Sequence, residues 1–401
     1  MRKQMKAILL LLLCVGALTG CSLLHEFDFT NVEQDTQSRL VTASVLSEDE
    51  LYERAKKETK DSVVNVYSST TLTQYAVENF MNDYPALAGK IVYHKMDDES
   101  EYPRLIEEIE NGTSGIDLLL SHSDLVNELM GSGSVFSYFP SSYADKIDEA
   151  YRMPLAFMYS STLFIYDTAN GKKVTLDNVW ELTEADWRGR ILMKDPRDEQ
   201  VNMNFLYMLA SPMWTERLKT AYRDYYGKDW QNSNYESIAY EWIEGFLANC
   251  DFSIDSNTDI IHALAASKGQ KIALFGYSKL RKLAAEERSA LGVFALDGDV
   301  DCFGGFAFGT YTTVVRDSAH PYTDALFINY LLSAHGFSNT NAWNNYAGYY
   351  STNETIEKKT VTGDSNFAFW EKRLVIEDPN YIANQNDGID SFIRECLSSA
   401  E

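Results

Sequence analysis

The chain has 401 residues, enough for two domains, and its 45% apolar content is that of a globular protein rather than a disordered one. A formal charge of −24 argues against nucleic acid as a partner, because such a surface repels phosphates, and would concentrate cations nearby. Of five cysteines, Cys14 and Cys21 stand near the start, while Cys250, Cys302 and Cys396 are far apart; there is no disulfide framework and no C-x-x-C pair for zinc.

Met1–Ala17 starts with Arg2, Lys3 and Lys6 and continues as an apolar run from Ala7 to Ala17. That run suits the core of a signal peptide and is too short to span a bilayer. Leu18-Thr19-Gly20-Cys21 follows, and this ending resembles the lipobox of bacterial lipoproteins. The resemblance implies a signal peptide over residues 1–20, a lipid on Cys21, and a chain anchored at the membrane, facing the periplasm or the cell exterior. The polar, acidic stretch 21–60 reads as a tether with a short helix over Glu48–Lys60.

From Ser62 onward strands and helices alternate. Val63–Tyr67 is β-rich and gives way at Ser68-Ser69-Thr70-Thr71 to a helical pattern over Tyr75–Tyr84. Lys90–His94 predicts a second strand, Tyr102–Glu110 a helix broken by Asn111-Gly112, and Ile116–Leu120 a third strand ending at Ser121-His122-Ser123. Helix Asp124–Met130 stops at Gly131-Ser132-Gly133. Strands are expected again at Leu163–Asp167, before Asp195, at Lys271–Phe275 and at Gly292–Leu296. Helices are expected over Gln200–Leu209, through the aromatic region to Tyr226, over Tyr235–Asn249 and over Tyr322–Leu332. Such alternation implies βαβ units and a mostly parallel sheet, with a ligand beyond the carboxyl ends of strands. Ser68–Thr71 and Ser121–Ser123 then share one rim, as polar ligand donors or as helix caps.

The chain from about Val63 to Asp390 resembles the extracellular solute-binding proteins of bacterial ABC importers, in the group that includes spermidine/putrescine and ferric-iron binders. The residues that carry this are Val66-Tyr67-Ser68-Ser69, Gly115–Ser121, Trp187-Arg188-Gly189-Arg190-Ile191 before Asp195-Pro196-Arg197-Asp198, His320-Pro321, Ala325–Ser333 and Gly348-Tyr349-Tyr350. The resemblance implies a two-lobed α/β periplasmic-binding-protein (type 2) fold with a cleft between the lobes. Residues 61–158 and 297–336 would build the first lobe, 159–296 the second, and 337–401 helices packing across both. It also implies a small-molecule solute, an ABC permease as partner, a monomer and no cofactor.

Asp195 and Asp198 match the paired carboxylates with which polyamine binders hold amino groups, a charge-assisted grip; alternatively Asp195 caps a helix starting near Pro196. Polyamine binders also carry a Trp and an acidic residue after the first strand, where this chain has Ser69 and Thr71. Ferric binders place two adjacent tyrosines after the strand ending near Phe275, where Gly276-Tyr277 offers one. The expected ligand contacts are therefore Ser68, Ser69, Ser121, Asp195, Asp198 and Tyr277, for a polyamine or another cationic or zwitterionic solute. Ferric iron, a phosphonate or a thiamine-type ligand is the alternative. His122 is the one histidine on the expected rim. No metal-ligand spacing and no catalytic motif occurs: Asp297-Gly298-Asp299-Val300-Asp301 begins like a calcium loop, but Cys302 stands where the turn glycine belongs. An enzyme, or an adhesive lipoprotein that has lost its ligand, is the reading of another class.

Overall fold

A computed structural model of the chain describes residues 35–96, 99–168, 174–231, 234–360, 363–384 and 387–400. Cys21 and the signal-like segment lie outside them. Twelve strands join in one sheet: β1 (Val64–Ser68), β2 (Ile91–Lys95), β3 (Leu118–Ser121), β4 (Val135–Ser137), β5 (Ala156–Asp167), β6 (Ile191–Met193), β7 (Cys250–Asp251), β8 (Ile272–Gly276), β9 (Leu291–Val293), β10 (Gly305–Val315), β11 (Tyr349–Ser351) and β12 (Val375–Ile376). The main order is β2-β1-β3-β10-β5-β8-β6-β7.

Two parallel blocks, β2-β1-β3 and β8-β6-β7, flank the long central pair β10 and β5. That pair is antiparallel, and each of its members is antiparallel to the block beside it. The expected parallel sheet therefore holds within each block, and the two blocks run in opposite directions. Every residue of β5 is buried, so it has no alternation to show in the sequence, and the polar run Tyr159-Ser160-Ser161-Thr162 conceals its first half. Only the segment from Leu163 reads as strand. Conversely, Gly292–Leu296 is a strand only to Val293, after which Phe294–Asp297 forms one helical turn.

Separate apolar clusters cover the two blocks. Phe80, Phe327 and Trp343 pack beside β1, β3 and the helix Pro321–Leu332. Trp180, Trp214 and Trp242 pack beside β6, β8 and the helix Gln200–Leu209, which is buried on all sides from Val201 onward. The indole N–H of Trp242 donates to Val179 O at 3.0 Å, so this large ring is buried with its polar atom satisfied.

The short helix expected at the end of the 21–60 stretch forms over Glu48–Glu58, but it is preceded by another helix, Thr36–Ala43, and neither is a free tether: Leu40, Ala43, Leu51 and Ala55 are buried in the same core as Pro321–Leu332. A capping box starts the helix Glu48–Glu58, Glu50 N–H donating to Ser47 Oγ at 3.3 Å and Ser47 N–H to Glu50 Oε2 at 2.9 Å. Glu58 then accepts from N–H groups in the first turn of Pro321–Leu332, Tyr322 at 3.2 Å and Thr323 at 2.9 Å, and pairs with Arg39. The short apolar spacing of these helices becomes informative only once a partner helix exists for it.

Cys250, Cys302 and Cys396 are free thiols. Burial raises all three, Cys302 to about 12 and Cys396 to about 11, so little thiolate forms at neutral pH. Iodoacetamide should label these cysteines slowly in the folded protein at pH 7.5 and completely in guanidinium, as read by peptide masses. Rapid labelling of Cys302 under native conditions would contradict this placement.

Candidate functional site

The register places the carboxyl ends of the two blocks face to face. Ser121, at the end of β3, pairs with Tyr311 of β10. Gly276, at the end of β8, pairs with Thr162 of β5, and Thr162 pairs with Phe306 of β10. Both blocks thus point along the central pair toward the stretch between Phe306 and Tyr311. Five residue steps at about 3.4 Å separate their ends, roughly 17 Å, a span suited to a small ligand. A ligand crevice beyond these strand ends would have the middle of β10 and β5 as its floor.

On the β1–β3 side, Ser69 and His122 line the rim, both half-buried. Ser69 Oγ lies 3.5 Å from His122 Nε2, and His122 Nδ1 donates to Gly309 O at 3.2 Å, which leaves Nε2 as the acceptor in the neutral ring. The His122 ring meets the half-buried Phe308 edge to face at 5.2 Å. Ser68 and Ser121, expected beside them, are fully buried. The Ser68 hydroxyl is 2.8 Å from Thr73 Oγ1 and accepts from Thr70 N–H at 3.2 Å, while Ser121 Oγ lies 3.5 Å from the Tyr102 hydroxyl. Both shape the strand ends from beneath.

On the β6–β8 side, Lys194 to Glu199 forms a closed loop. Lys194 Nζ donates to Glu199 Oε2 at 2.7 Å, and Asn202 Nδ2 donates to Lys194 O at 2.8 Å. Asp195 opens a turn in which Pro196 takes the second place and Asp198 N–H returns to Asp195 O at 3.0 Å. The helix begins at Gln200, so Asp195 does not cap it. Both Asp195 oxygens are engaged by Arg197, through its backbone N–H at 2.8 Å and its guanidinium at 2.6 Å and 3.1 Å. Burial raises this carboxyl, but the Arg197 hydrogen bonds and charge outweigh it and hold the group below its ordinary range. Asp198 is exposed. The two aspartates therefore do not form a free pair of carboxylates. Tyr277, 4% exposed, lies in a core cluster with Tyr350 and Trp370, and burial together with Asp364 raises its hydroxyl.

Residues that sequence reasoning passed over stand beside these. Lys194 directly follows β6 and Lys279 stands three residues after the end of β8, and position after a strand end was the one signal that could have marked them. Glu377, after the two-residue strand β12, carries no local signal. It is 3% exposed and accepts four hydrogen bonds: Ser123 Oγ at 2.9 Å and Asn204 Nδ2 at 3.1 Å on one oxygen, Gly309 N–H at 2.9 Å and the Tyr311 hydroxyl at 3.0 Å on the other. Burial pushes its carboxyl up, and the donors and nearby His122 oppose that. One carboxylate thereby joins the start of the helix after β3, the helix after β6 and the middle of β10. Among the described residues no group of three His, Cys, Asp or Glu side chains is gathered as for a metal ion, and no helix is long and apolar enough to cross a membrane.

No protein-family model matches the chain, and no curated protein matches it by sequence. Solved structures do match. The Trichodesmium protein IdiA (FutA), in complex with iron and citrate, is 17% identical, covering 84% of this chain and 99% of its own with a TM-score of 0.59. Iron-bound HitA from Pseudomonas aeruginosa is 15% identical, with 84% and 99% covered and a TM-score of 0.58. The periplasmic binding protein AfuA from Actinobacillus pleuropneumoniae, with fructose-6-phosphate bound, is 14% identical, with 84% and 98% covered and a TM-score of 0.59. At such identities the likeness is one of architecture: this chain has the two-lobed α/β fold of the periplasmic solute-binding proteins.

Proposed function

We propose that the protein is the solute-binding component of an ABC importer, capturing a small polar solute outside the cytoplasm and delivering it to a permease without catalysis. The observation that carries this reading is the convergence of two oppositely directed strand blocks on one stretch of β10 and β5, the two strands that link them in the main sheet order. Ligand held there touches both blocks, so it can favour a closed arrangement that a permease distinguishes from an open one. Within this reading the first lobe takes in 61–158 and 297–336, the second 159–296, and Cys21 carries the lipid anchor. Solute contacts are assigned to Ser69, His122 and Phe308 on one side and to Lys194, Lys279 and the Asp195 turn on the other.

A polyamine is not the solute this reading favours. Its ammonium groups need free carboxylates, and Asp195 is already paired with Arg197 while Asp198 faces solvent. Isothermal titration of the purified protein against iron–citrate, sugar phosphates, phosphonates, thiamine and polyamines tests the proposal. Saturable one-to-one binding is expected, with the solute recovered unchanged and the radius of gyration reduced on binding. Turnover of a solute, or binding unaffected by His122→Ala and Ser69→Ala, would overturn it.

A further inference from the structure

Resting on the reading of the crevice as the solute site, we propose that its solute is an anion, a phosphate ester or a carboxylate, and that Lys279 is the residue that meets its charge. Lys279 stands in the turn Tyr277–Lys282 that follows β8, and its stem lies across the strand end: a Cβ at Gly276 would sit 3.6 Å from Lys279 Cγ. Gly276 is the residue paired with Thr162 on the crevice floor. The stem of Lys279 therefore lies against the end of β8, and its ammonium is near enough to Lys194 and Glu199, after β6, to feel their charges.

Among the described residues, the Lys279 ammonium has no hydrogen bond and no ion pair. Its electrostatic surroundings are one-sided: Arg281, Lys282 and Lys194 act against its charge, and Glu199 alone favours it. Glu199 is already bonded to Lys194 at 2.7 Å, with both side chains about three-quarters buried. This corner thus holds two lysines against one carboxylate, in a chain whose overall charge is −24. An ammonium partly withdrawn from water without a partner is unfavourable, and burial with the neighbouring Arg281 drives its proton affinity down. An oxyanion in the crevice removes that cost by accepting from Lys279 directly. On the facing rim the Ser69 hydroxyl can donate to such an anion.

The chemistry selects singly or doubly charged oxyanions on a small polar body and excludes ligands whose only charge is positive. The purified protein is titrated calorimetrically at pH 7.5 with fructose 6-phosphate, citrate and inorganic phosphate, and with spermidine and fructose as cationic and neutral counterparts. Saturable binding of at least one anion is expected. Lys279→Met, which keeps the apolar stem, should weaken it tenfold or more, whereas Lys279→Arg should stay within about threefold and Lys282→Met, on an exposed side chain of the same turn, within about twofold. Thermal melts of each variant separate loss of binding from loss of folding. Anion binding that survives Lys279→Met overturns the assignment. Saturable binding of spermidine or fructose, but of no anion, overturns it while leaving the solute-binding reading intact; absence of binding by every probe, the wider panel included, overturns both.

Discussion

Replacing Glu377 by Ala should cost about 3 kcal/mol of folding stability, because four buried donors lose their acceptor at once. Glu377→Gln should cost less, about 1–2 kcal/mol. The retained amide oxygen can face Gly309 N–H, which cannot turn, while the new NH2 faces Ser123 and Asn204, of which the serine hydroxyl can reverse. Asn204 is less free, since its Oδ1 already accepts from Gln200 Nε2 at 2.9 Å. The effect should reach function, because Ser123 follows His122 on one rim and Asn204 belongs to the helix behind Lys194 and Glu199. Once a solute is identified, both variants should release it faster than the parent. Urea denaturation followed by tryptophan fluorescence measures the stability change. Equal losses for Ala and Gln, or losses below about 0.5 kcal/mol, would mean that the four-way junction is not what orders this region.

A second buried carboxylate, at the opposite end of β3, should behave differently. Asp117 accepts from Asn65 N–H at 2.9 Å on one oxygen and from Ser318 Oγ at 3.0 Å and His320 Nδ1 at 2.7 Å on the other. The far nitrogen of His320 lies 2.7 Å from Ser62 Oγ, and Ser318 Oγ also lies 2.7 Å from Oδ2 of the buried Asp324, so its one hydrogen is shared between the two carboxyl groups. These bonds tie the start of β1 to the loop that opens the helix Pro321–Leu332. Asp117→Ala should therefore lower stability by about 3–4 kcal/mol, through an unpaired backbone N–H, a stranded imidazole and a small cavity. Solute affinity should be unchanged at temperatures where the variant stays folded, since Asp117 lies at the amino end of β3 and the crevice at its carboxyl end. A variant that loses both stability and affinity would show that the two ends are coupled. A variant as stable as the parent would show that the cluster is readily rearranged.

Local periodicity marked out many of the elements from sequence alone. Gln200–Leu209 and Tyr102–Glu110 were legible to the residue, and Lys271–Phe275 and Val63–Tyr67 to within one, because each is a compact apolar pattern bounded by turn residues. The alternation of these elements also fixed the α/β class and the rule that a ligand belongs at carboxyl strand ends, which brought Ser69 and His122 into view. Tertiary structure decided the rest. Asp195 and Asp198 read as a cation grip only while Arg197 was counted as a neighbour in sequence rather than as the partner of Asp195 in space. Ser68 and Ser121 looked like rim donors until the sheet buried their hydroxyls. Residues 36–47 read as tether, and the helix after them only as its end, because so short an amphipathic pattern has meaning only against the helix Pro321–Leu332, far along the chain. Lys279 and Glu377 gained their roles from register and packing. What a charge can do depends on which groups stand within a few ångströms of it, and only the fold sets those distances.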